Sequence, residues 1–174
     1  MTIFLTGERG VGKSTALRRA LGGSSAGVGG FMTDFGDTRY KDSKTLWLLP
    51  WGREPDFSAG RVCAWLGPGE RQVFPEVFDS LVASLLRSAM EDPACGLILM
   101  DELGFLESDA RVFRAAVLEV LTGPKPVLGV VRQGLGVWGD APLGEVWEVT
   151  ASCREEIPAL LRQRLASSFP AIGE

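Results

Sequence analysis

The sequence predicts an α/β fold with a mostly parallel sheet, helices on both faces and an antiparallel hairpin region in the middle of the chain. Short apolar runs of strand length alternate with segments whose apolar residues recur at helical spacing, which is typical of strand–helix–strand units. Apolar residues make up 45% of the 174 residues, enough for one sizeable core. We therefore expect residues 1–174 to form a single domain.

The first elements follow from the opening residues. Thr2–Thr6 is a β-branched and aromatic run that ends at Gly7, as expected for a buried parallel strand. From Gly12 onward, apolar residues recur at helical spacing until Gly22 and Gly23 supply a stop. The chain thus predicts a strand, a glycine-rich loop and a helix, in that order.

The middle of the chain has a weaker pattern. It predicts a strand at Val28–Thr33, part of an antiparallel hairpin at Tyr40–Leu49, and a short strand at Arg61–Leu66 among turn-rich residues. Three tryptophans crowd this segment: Trp47, Trp51 and Trp65. They suit either stacking on a base or packing beneath the hairpin, and we favour packing.

The second half of the chain returns to regular alternation. Helices are predicted at Phe74–Met90, Ser108–Leu121 and Glu155–Leu165. We expect Ser108 to cap the second of these helices and Gly123 to close it. Strands are predicted at Leu97–Met100, Pro126–Val131 and, more weakly, Val146–Thr150.

Composition and charge narrow the class of protein. The formal net charge is −4 and the pI is near 5.0, whereas domains that neutralise nucleic-acid phosphates are usually basic; nucleic acid is a disfavoured but open partner. Three widely spaced cysteines, in a chain with no histidine, lack metal-ligand spacing and are typical of reduced thiols. The apolar runs fall short of the roughly 18 residues of a membrane span, and the N-terminus does not resemble a signal peptide. We expect a soluble, cytoplasmic protein that is monomeric by default.

Residues 7–14 form the most specific motif. The stretch GERGVGKS fits G-x-x-x-x-G-K-[ST], the phosphate-binding P-loop, and lies between a predicted strand and a predicted helix, as such a loop requires. Backbone N–H groups of the loop would face the phosphates, Lys13 would reach the β and γ oxygens, and Ser14 would ligate Mg²⁺. The alternative is a glycine-rich turn with a solvated lysine, which the strand–helix setting disfavours. The predicted nucleotide-binding residues of the loop are Gly7, Glu8, Arg9, Gly10, Val11, Gly12, Lys13, Ser14 and Thr15.

A pair of acids follows the predicted strand Leu97–Met100. A P-loop needs an acid at the end of a neighbouring strand to hold Mg²⁺ through water, and Asp101 is the best candidate. Glu102 comes next, where a carboxylate would orient and deprotonate a water for attack on the γ-phosphate. The pair favours hydrolysis over transfer to a bound small molecule, although either acid could be an ordinary solvated strand end.

These motifs, with GGFMT, DELGFLE and KPVLGVVRQ, resemble the small nucleoside-triphosphate phosphohydrolases first described from a thermophile, also known as cancer-related nucleoside triphosphatases. The resemblance runs nearly end to end. It implies a P-loop NTPase fold with an extra strand between the P-loop strand and the acid-bearing strand. It also implies slow, Mg²⁺-dependent hydrolysis of ATP, GTP and other triphosphates.

The resemblance also implies roles for residues outside the P-loop. Glu107 matches the second acid of a DE-x-G-x-x-E pattern. The strand Pro126–Val131 would lie between the other two strands, so that Arg132 or Gln133 at its end comes near the γ-phosphate and stabilises the transferring charge. Arg154 would lie beside the base or ribose, or else be a solvated arginine at a helix start.

Three positions depart from the family pattern. Arg9 stands where the family often has proline, and Arg132-Gln133 stands where a histidine and a basic residue are usual. Cys153 replaces an asparagine that commonly precedes the matched arginine. We expect these changes to affect rate and base preference more than the class of reaction.

We predict a Mg²⁺-dependent NTPase that acts on ATP or GTP and tolerates other bases, since the chain has no N-K-x-D guanine motif. Lys13, Glu102 and Arg132 are the predicted catalytic residues, and Ser14 and Asp101 the predicted metal ligands. A small-molecule or nucleotide kinase would use the same cradle, although no arginine-rich lid is evident. A nucleotide-dependent switch or partner-binding module, in which slow hydrolysis is a timer, is the third alternative.

Overall fold

The computed structural model describes residues 1–22, 27–40, 43–52, 54–134 and 136–167. The strands are β1 (Thr2–Thr6), β2 (Val28–Tyr40), β3 (Ser43–Pro50), β4 (Arg61–Leu66), β5 (Arg71–Val73), β6 (Leu97–Leu103), β7 (Val127–Val131) and β8 (Glu145–Glu148). The helices are α1 (Lys13–Ala20), α2 (Pro75–Val77), α3 (Ala83–Glu91), α4 (Arg111–Thr122) and α5 (Ile157–Ala166). A π-helical segment, Phe78–Val82, joins α2 to α3. None of the described helices has the length and apolar composition needed to cross a membrane.

All eight strands belong to one sheet with the order β5-β4-β3-β2-β6-β7-β1-β8. The strands from β2 to β8 in that order pair in parallel, and β3, β4 and β5 extend the sheet antiparallel beyond β2. The predicted α/β class with an antiparallel hairpin region is confirmed. The expected position of β7 between the P-loop strand β1 and the acid-bearing strand β6 is confirmed as well.

Helices cover both faces of the sheet because the parallel strands are apolar on both sides. In β1, Ile3 and Leu5 join a core cluster with α1 and α5, whereas Phe4 points into a second cluster with α3 and α4. Every side chain of β7 is buried, as expected for a central parallel strand. The carboxyl ends of β1, β7 and β6 therefore lie at one edge of the sheet, beside the part of β2 that follows Met32.

The antiparallel region differs from the prediction in its boundaries. β2 does not end at Thr33 but continues to Tyr40, because residues 31–36 pair with β3, which begins at Ser43 rather than Tyr40. The edge strand β5 was not predicted, since its three residues carry no alternating pattern. In the same region, the rings of Trp47 and Trp65 pack edge-on against phenylalanines, in line with the favoured packing role.

The predicted cap of α4 is wrong. The helix begins at Arg111 rather than Ser108, because residues 105–109 form turns that bring Glu107 into the interior. No side chain of the preceding residue caps it. Instead, Asp79 in the π-helical segment accepts a hydrogen bond from the Phe113 N–H at 2.8 Å, so the cap comes from a neighbouring helix.

Candidate functional site

The loop between β1 and α1 curves around an open space. Gly10 and Gly12 have φ values of 79° and 109°, which side-chain-bearing residues rarely adopt. Apart from the adjacent residues in the chain, no atom of the described residues lies within 4 Å of the positions that their Cβ atoms would take. The glycines thus set the backbone conformation and leave free the space in which a P-loop holds phosphates.

Lys13 is the first residue of α1 and is buried. Its Nζ donates hydrogen bonds to the carbonyl oxygens of Gly7 and Glu8, both at 2.9 Å. These bonds hold the ammonium group across the loop, beside the positive end of the helix. The cradle therefore combines a fixed cation with the free N–H groups of the first helical turn.

Ser14 and Asp101 connect the cradle to the acid-bearing strand. Ser14 Oγ donates a hydrogen bond to Asp101 Oδ1 at 2.9 Å, although the two residues lie 87 positions apart in the chain. The strand order explains the contact, because the ends of β1 and β6 are separated only by β7. The predicted pair of metal ligands is thus brought together.

Asp101 is buried, and only one of its two carboxylate oxygens accepts a hydrogen bond from the described residues. Burial raises the pKa of Asp101 to about 6, while the hydrogen bond from Ser14 opposes the rise and the nearby Glu102 adds to it. Its second oxygen, Oδ2, is buried and has no hydrogen-bond partner among the described residues. A buried carboxylate oxygen of this kind is satisfied by an ordered water or an ion.

Two further acids, Glu102 and Glu107, lie beside Gly104. A Cβ atom on Gly104 would stand 3.9 Å from Glu102 Oε1, from Glu107 Oε2 and from the Cδ of Arg132. Glu102 is half-buried and lines the cleft, whereas Glu107 is only 2% exposed. Burial raises the pKa of Glu107, and hydrogen bonds to its carboxylate oppose the rise.

Glu107 joins the loop after β6 to the loop after β7. Its Oε1 accepts hydrogen bonds from the Gly104 N–H and, at 3.2 Å, from Trp138 Nε1. Trp138 Nε1 also donates to Gly104 O at 3.2 Å, and the N–H of Arg132 donates to Leu103 O at 2.8 Å. The loops that follow Glu102 and Arg132 are therefore held to each other through buried groups.

A cleft of about 590 Å³ opens over these groups. It runs from the P-loop across the end of β6 and the middle of β2 toward the antiparallel strands. Its lining residues are Gly7, Arg9, Gly10, Gly12, Lys13, Ser14, Thr15, Thr33, Asp34, Phe35, Leu46, Leu66, Glu102, Leu106, Arg132 and Gln133. The volume lies within the usual range of small-molecule sites.

The cleft brings together most of the predicted site residues. Arg132 and Gln133 both line it, at the end of β7. Arg154 does not; it is exposed on the turn between β8 and α5 and pairs with Glu155 at 3.5 Å. Glu8 and Val11 belong to the loop without lining the cleft, and Asp101 is buried behind it, in contact with Ser14.

The sequence did not predict the residues that line the cleft beyond Glu102. Phe35, Leu46 and Leu66 come from β2, β3 and β4, whose pairing could not be read from the chain. Phe35 lies within β2, and its exposure, which is typical of a binding surface, is seen only in the structure. The role of Trp138 as a buried donor was likewise not predicted.

Comparisons with known proteins show the family and the fold of this chain. A family model described as NTPase matches residues 2–161. The protein named nucleoside-triphosphatase THEP1 from Methanocaldococcus jannaschii is 31% identical over 167 residues, covering 90% of this chain and 92% of that protein. Its namesake from Methanothermobacter thermautotrophicus is 35% identical over 144 residues, covering 76% and 77%. The crystal structure of THEP1 from Aquifex aeolicus superposes with a TM-score of 0.70 at 20% identity over 97% of this chain and 99% of that one, and so shares the fold.

Proposed function

The chain belongs to the NTPase family, whose model spans residues 2–161, and from that premise we propose that it hydrolyses nucleoside triphosphates to the diphosphate and phosphate with Mg²⁺. The hydrogen bond between Ser14 and Asp101 carries this proposal. It joins the phosphate cradle to a strand whose next residue, Glu102, faces the same cleft.

Ser14 and Asp101 fit a magnesium site. Both offer the hard oxygen ligands that Mg²⁺ prefers, and Asp101 Oδ2 is a buried acceptor that a metal-bound water would satisfy. When bound, Mg²⁺ would neutralise charge on the β and γ oxygens of the substrate.

Lys13 and the start of α1 would bind the phosphates. The ammonium group is already held at the loop by two carbonyls, so little side-chain entropy is lost when it meets the β and γ oxygens. The N–H groups of the first helical turn add donors without a charged side chain. Together they would bind the triphosphate, and Lys13 would also stabilise charge on the transferring γ-phosphoryl group.

Glu102 is the proposed general base. Its carboxylate lines the cleft and would accept a proton from the water that attacks the γ-phosphorus. Arg132 and Gln133 lie in the same cleft and would stabilise the charge that develops on the γ-phosphoryl oxygens.

We further propose broad base tolerance. The lining of the cleft includes the P-loop and the ends of β6 and β7 but not Arg154, the one residue that was assigned to the base or ribose. Recognition through the phosphates alone would accept ATP, GTP, CTP and UTP at comparable rates.

A phosphate-release assay across these four triphosphates, with and without Mg²⁺, tests the proposal. Release by the wild type no faster than by Lys13→Ala would refute it. Glu102→Gln should bind ADP as the wild type does but lose about two orders of magnitude or more in kcat, in line with the loss of a general base. Glu91→Gln, which changes an exposed glutamate at the end of α3, is the matched control and should be unaffected.

The apolar lining of the cleft beyond Glu102 favours a second candidate function, transfer of the γ-phosphoryl group to a small molecule. Phe35, Leu46, Leu66 and Leu106 give this half of the cleft an apolar surface that attack by water does not require. Formation of ADP that depends on an added nucleoside, nucleotide or metabolite, with the phosphate recovered on that molecule, would support transfer. Equal ADP and free phosphate under all additions would support hydrolysis.

A further inference from the structure

Two arginines of the cleft lie over aromatic rings. The Arg9 guanidinium carbon is 5.8 Å from the centre of the Phe35 ring, and that of Arg132 is 5.1 Å from the Phe105 ring. Among the described residues neither arginine forms an ion pair within 4.0 Å of a carboxylate. Ion pairs instead involve Arg18, Arg19, Arg87, Arg154 and Arg164.

We propose that Arg9 is a catalytic residue, whose guanidinium leaves the Phe35 ring and binds a γ-phosphoryl oxygen as charge develops during hydrolysis. This inference rests on the proposed NTPase function. It assigns to the P-loop itself a cation in addition to Lys13.

The position of Arg9 supports this role. It lies inside the cradle sequence, directly before Gly10, and its side chain lines the cleft together with Lys13 and Glu102. It is exposed, so its movement displaces no packed side chain. A charged group at this point needs only to turn toward the phosphate that the loop holds.

The Phe35 ring should bind the Arg9 guanidinium only weakly. Cation–π attraction at an exposed site is small, whereas the planar fork of arginine forms strong, charge-assisted hydrogen bonds to phosphate oxygens. The substrate would therefore outcompete Phe35. Until then the ring keeps Arg9 at the mouth of the cleft and restricts its conformations.

Arg9 forms no covalent bond during the proposed hydrolysis. The water oxygen bonds to the γ-phosphorus, the bond from that phosphorus to the β–γ bridging oxygen breaks, and its electron pair leaves with the diphosphate. Glu102 takes the proton of the water. Arg9 donates hydrogen bonds to the equatorial oxygens and stays protonated throughout.

Lys44 provides a matched control within the structure. Its ammonium nitrogen lies 5.8 Å from the same ring, but its side chain does not line the cleft. If contact with the ring alone mattered, the two cations would be equivalent. If access to the γ-phosphate matters, only Arg9 should affect the rate.

The test compares Arg9→Ala, Arg9→Lys and Lys44→Met by steady-state kinetics and by affinity for ADP with and without aluminium fluoride, which mimics the transferring phosphoryl group. Arg9→Ala should lower kcat and the affinity for the fluoride complex by about tenfold or more, the scale of a lost charge-stabilising donor. Affinity for ADP alone should change by less than about twofold, which also shows that the variant is folded. Arg9→Lys should recover part of the loss, and Lys44→Met should match the wild type.

Several results would overturn the assignment. They are an unchanged kcat in Arg9→Ala, an equal loss of affinity for ADP with and without fluoride, or a Lys44→Met defect as large as that of Arg9→Ala. A wild-type rate no higher than that of Lys13→Ala would refute hydrolysis itself. A normal wild-type rate with an unaffected Arg9→Ala variant would refute only the role of Arg9.

The contribution of Phe35 is tested by a double-mutant cycle. Phe35→Leu keeps an apolar side chain but removes the ring, and should lower kcat by about two- to fivefold because Arg9 loses its restriction. Adding Phe35→Leu to Arg9→Ala should cause no further loss. Additive losses would contradict coupling between the two residues.

Discussion

Replacement of the buried Glu107 by alanine should lower the free energy of unfolding by about 2–4 kcal/mol. The substitution removes the acceptor of the Gly104 N–H, and a buried donor left without a partner costs about 1–3 kcal/mol. Trp138 Nε1 keeps its second acceptor, Gly104 O, and adds less to the cost. The remainder comes from the cavity that the lost side chain leaves in the interior.

The isosteric variant Glu107→Gln separates hydrogen bonding from charge. Glutamine retains Oε1 as an acceptor, so its cost should stay within about 1 kcal/mol. Because burial raises the pKa of Glu107 above its ordinary value of 4.5, the folded protein holds the proton more tightly than the unfolded chain. Glu107 thus contributes stability below that value, and this stability is lost as the pH rises through the folded pKa. The stability of Glu107→Gln relative to the wild type should therefore increase from acidic to neutral pH.

Urea unfolding followed by tryptophan fluorescence, at acidic and neutral pH, measures both effects. Turnover should fall in Glu107→Ala, because the loops that follow Glu102 in β6 and Arg132 after β7 lose their shared hydrogen-bond acceptor. A glutamine variant as unstable as the alanine variant would refute the hydrogen-bond argument. A relative stability that falls with rising pH would refute the assigned pKa direction.

The remaining predictions concern packing, capping and reactivity. Gly129→Ala in the central strand β7 should destabilise the protein by about 1–3 kcal/mol, because the added methyl would collide with the neighbouring strand; an unchanged urea midpoint would contradict it. Asp79→Ala should cost about 0.5–2 kcal/mol by removing the cap of Phe113 at the start of α4, and the same titration measures it. In native protein, Cys153 should be alkylated before Cys63 as judged by peptide mass, since hydrogen bonds from Thr150 lower the pKa of the half-buried Cys153 while burial raises that of Cys63 to about 12; the reverse order would refute this.

The parallel half of the fold could be predicted because each of its elements is indicated by residues that are close together in the sequence. Thr2–Thr6, the P-loop and Val127–Val131 each carry a complete pattern of strand, loop or helix within a few residues. The approach of Ser14 to Asp101 followed once β7 was expected between their strands. These contacts depend on the order of elements rather than on side-chain detail.

The antiparallel half could not be predicted in the same way. The outer part of β2 is rich in glycine and polar residues, and it is a strand only because β3 lies beside it. The start of α4 was misplaced because Asp79, in another helix, caps it in place of Ser108. Phe35 faces the cleft through that same long-range pairing, and its contact with Arg9 had no local indication.

The strand order separates the residues that should determine stability from those that should determine the catalytic rate. The order β2-β6-β7-β1 places Phe35, Glu102, Arg132 and the P-loop in series along one edge of the sheet. Interior residues such as Gly129 are fixed by packing, so changes there should affect folding first. Arg9, Arg132 and Gln133 are exposed and, except for stacking on a ring, unpacked. Substitutions at these three positions should therefore alter turnover while leaving the free energy of unfolding within about 0.5 kcal/mol of the wild type.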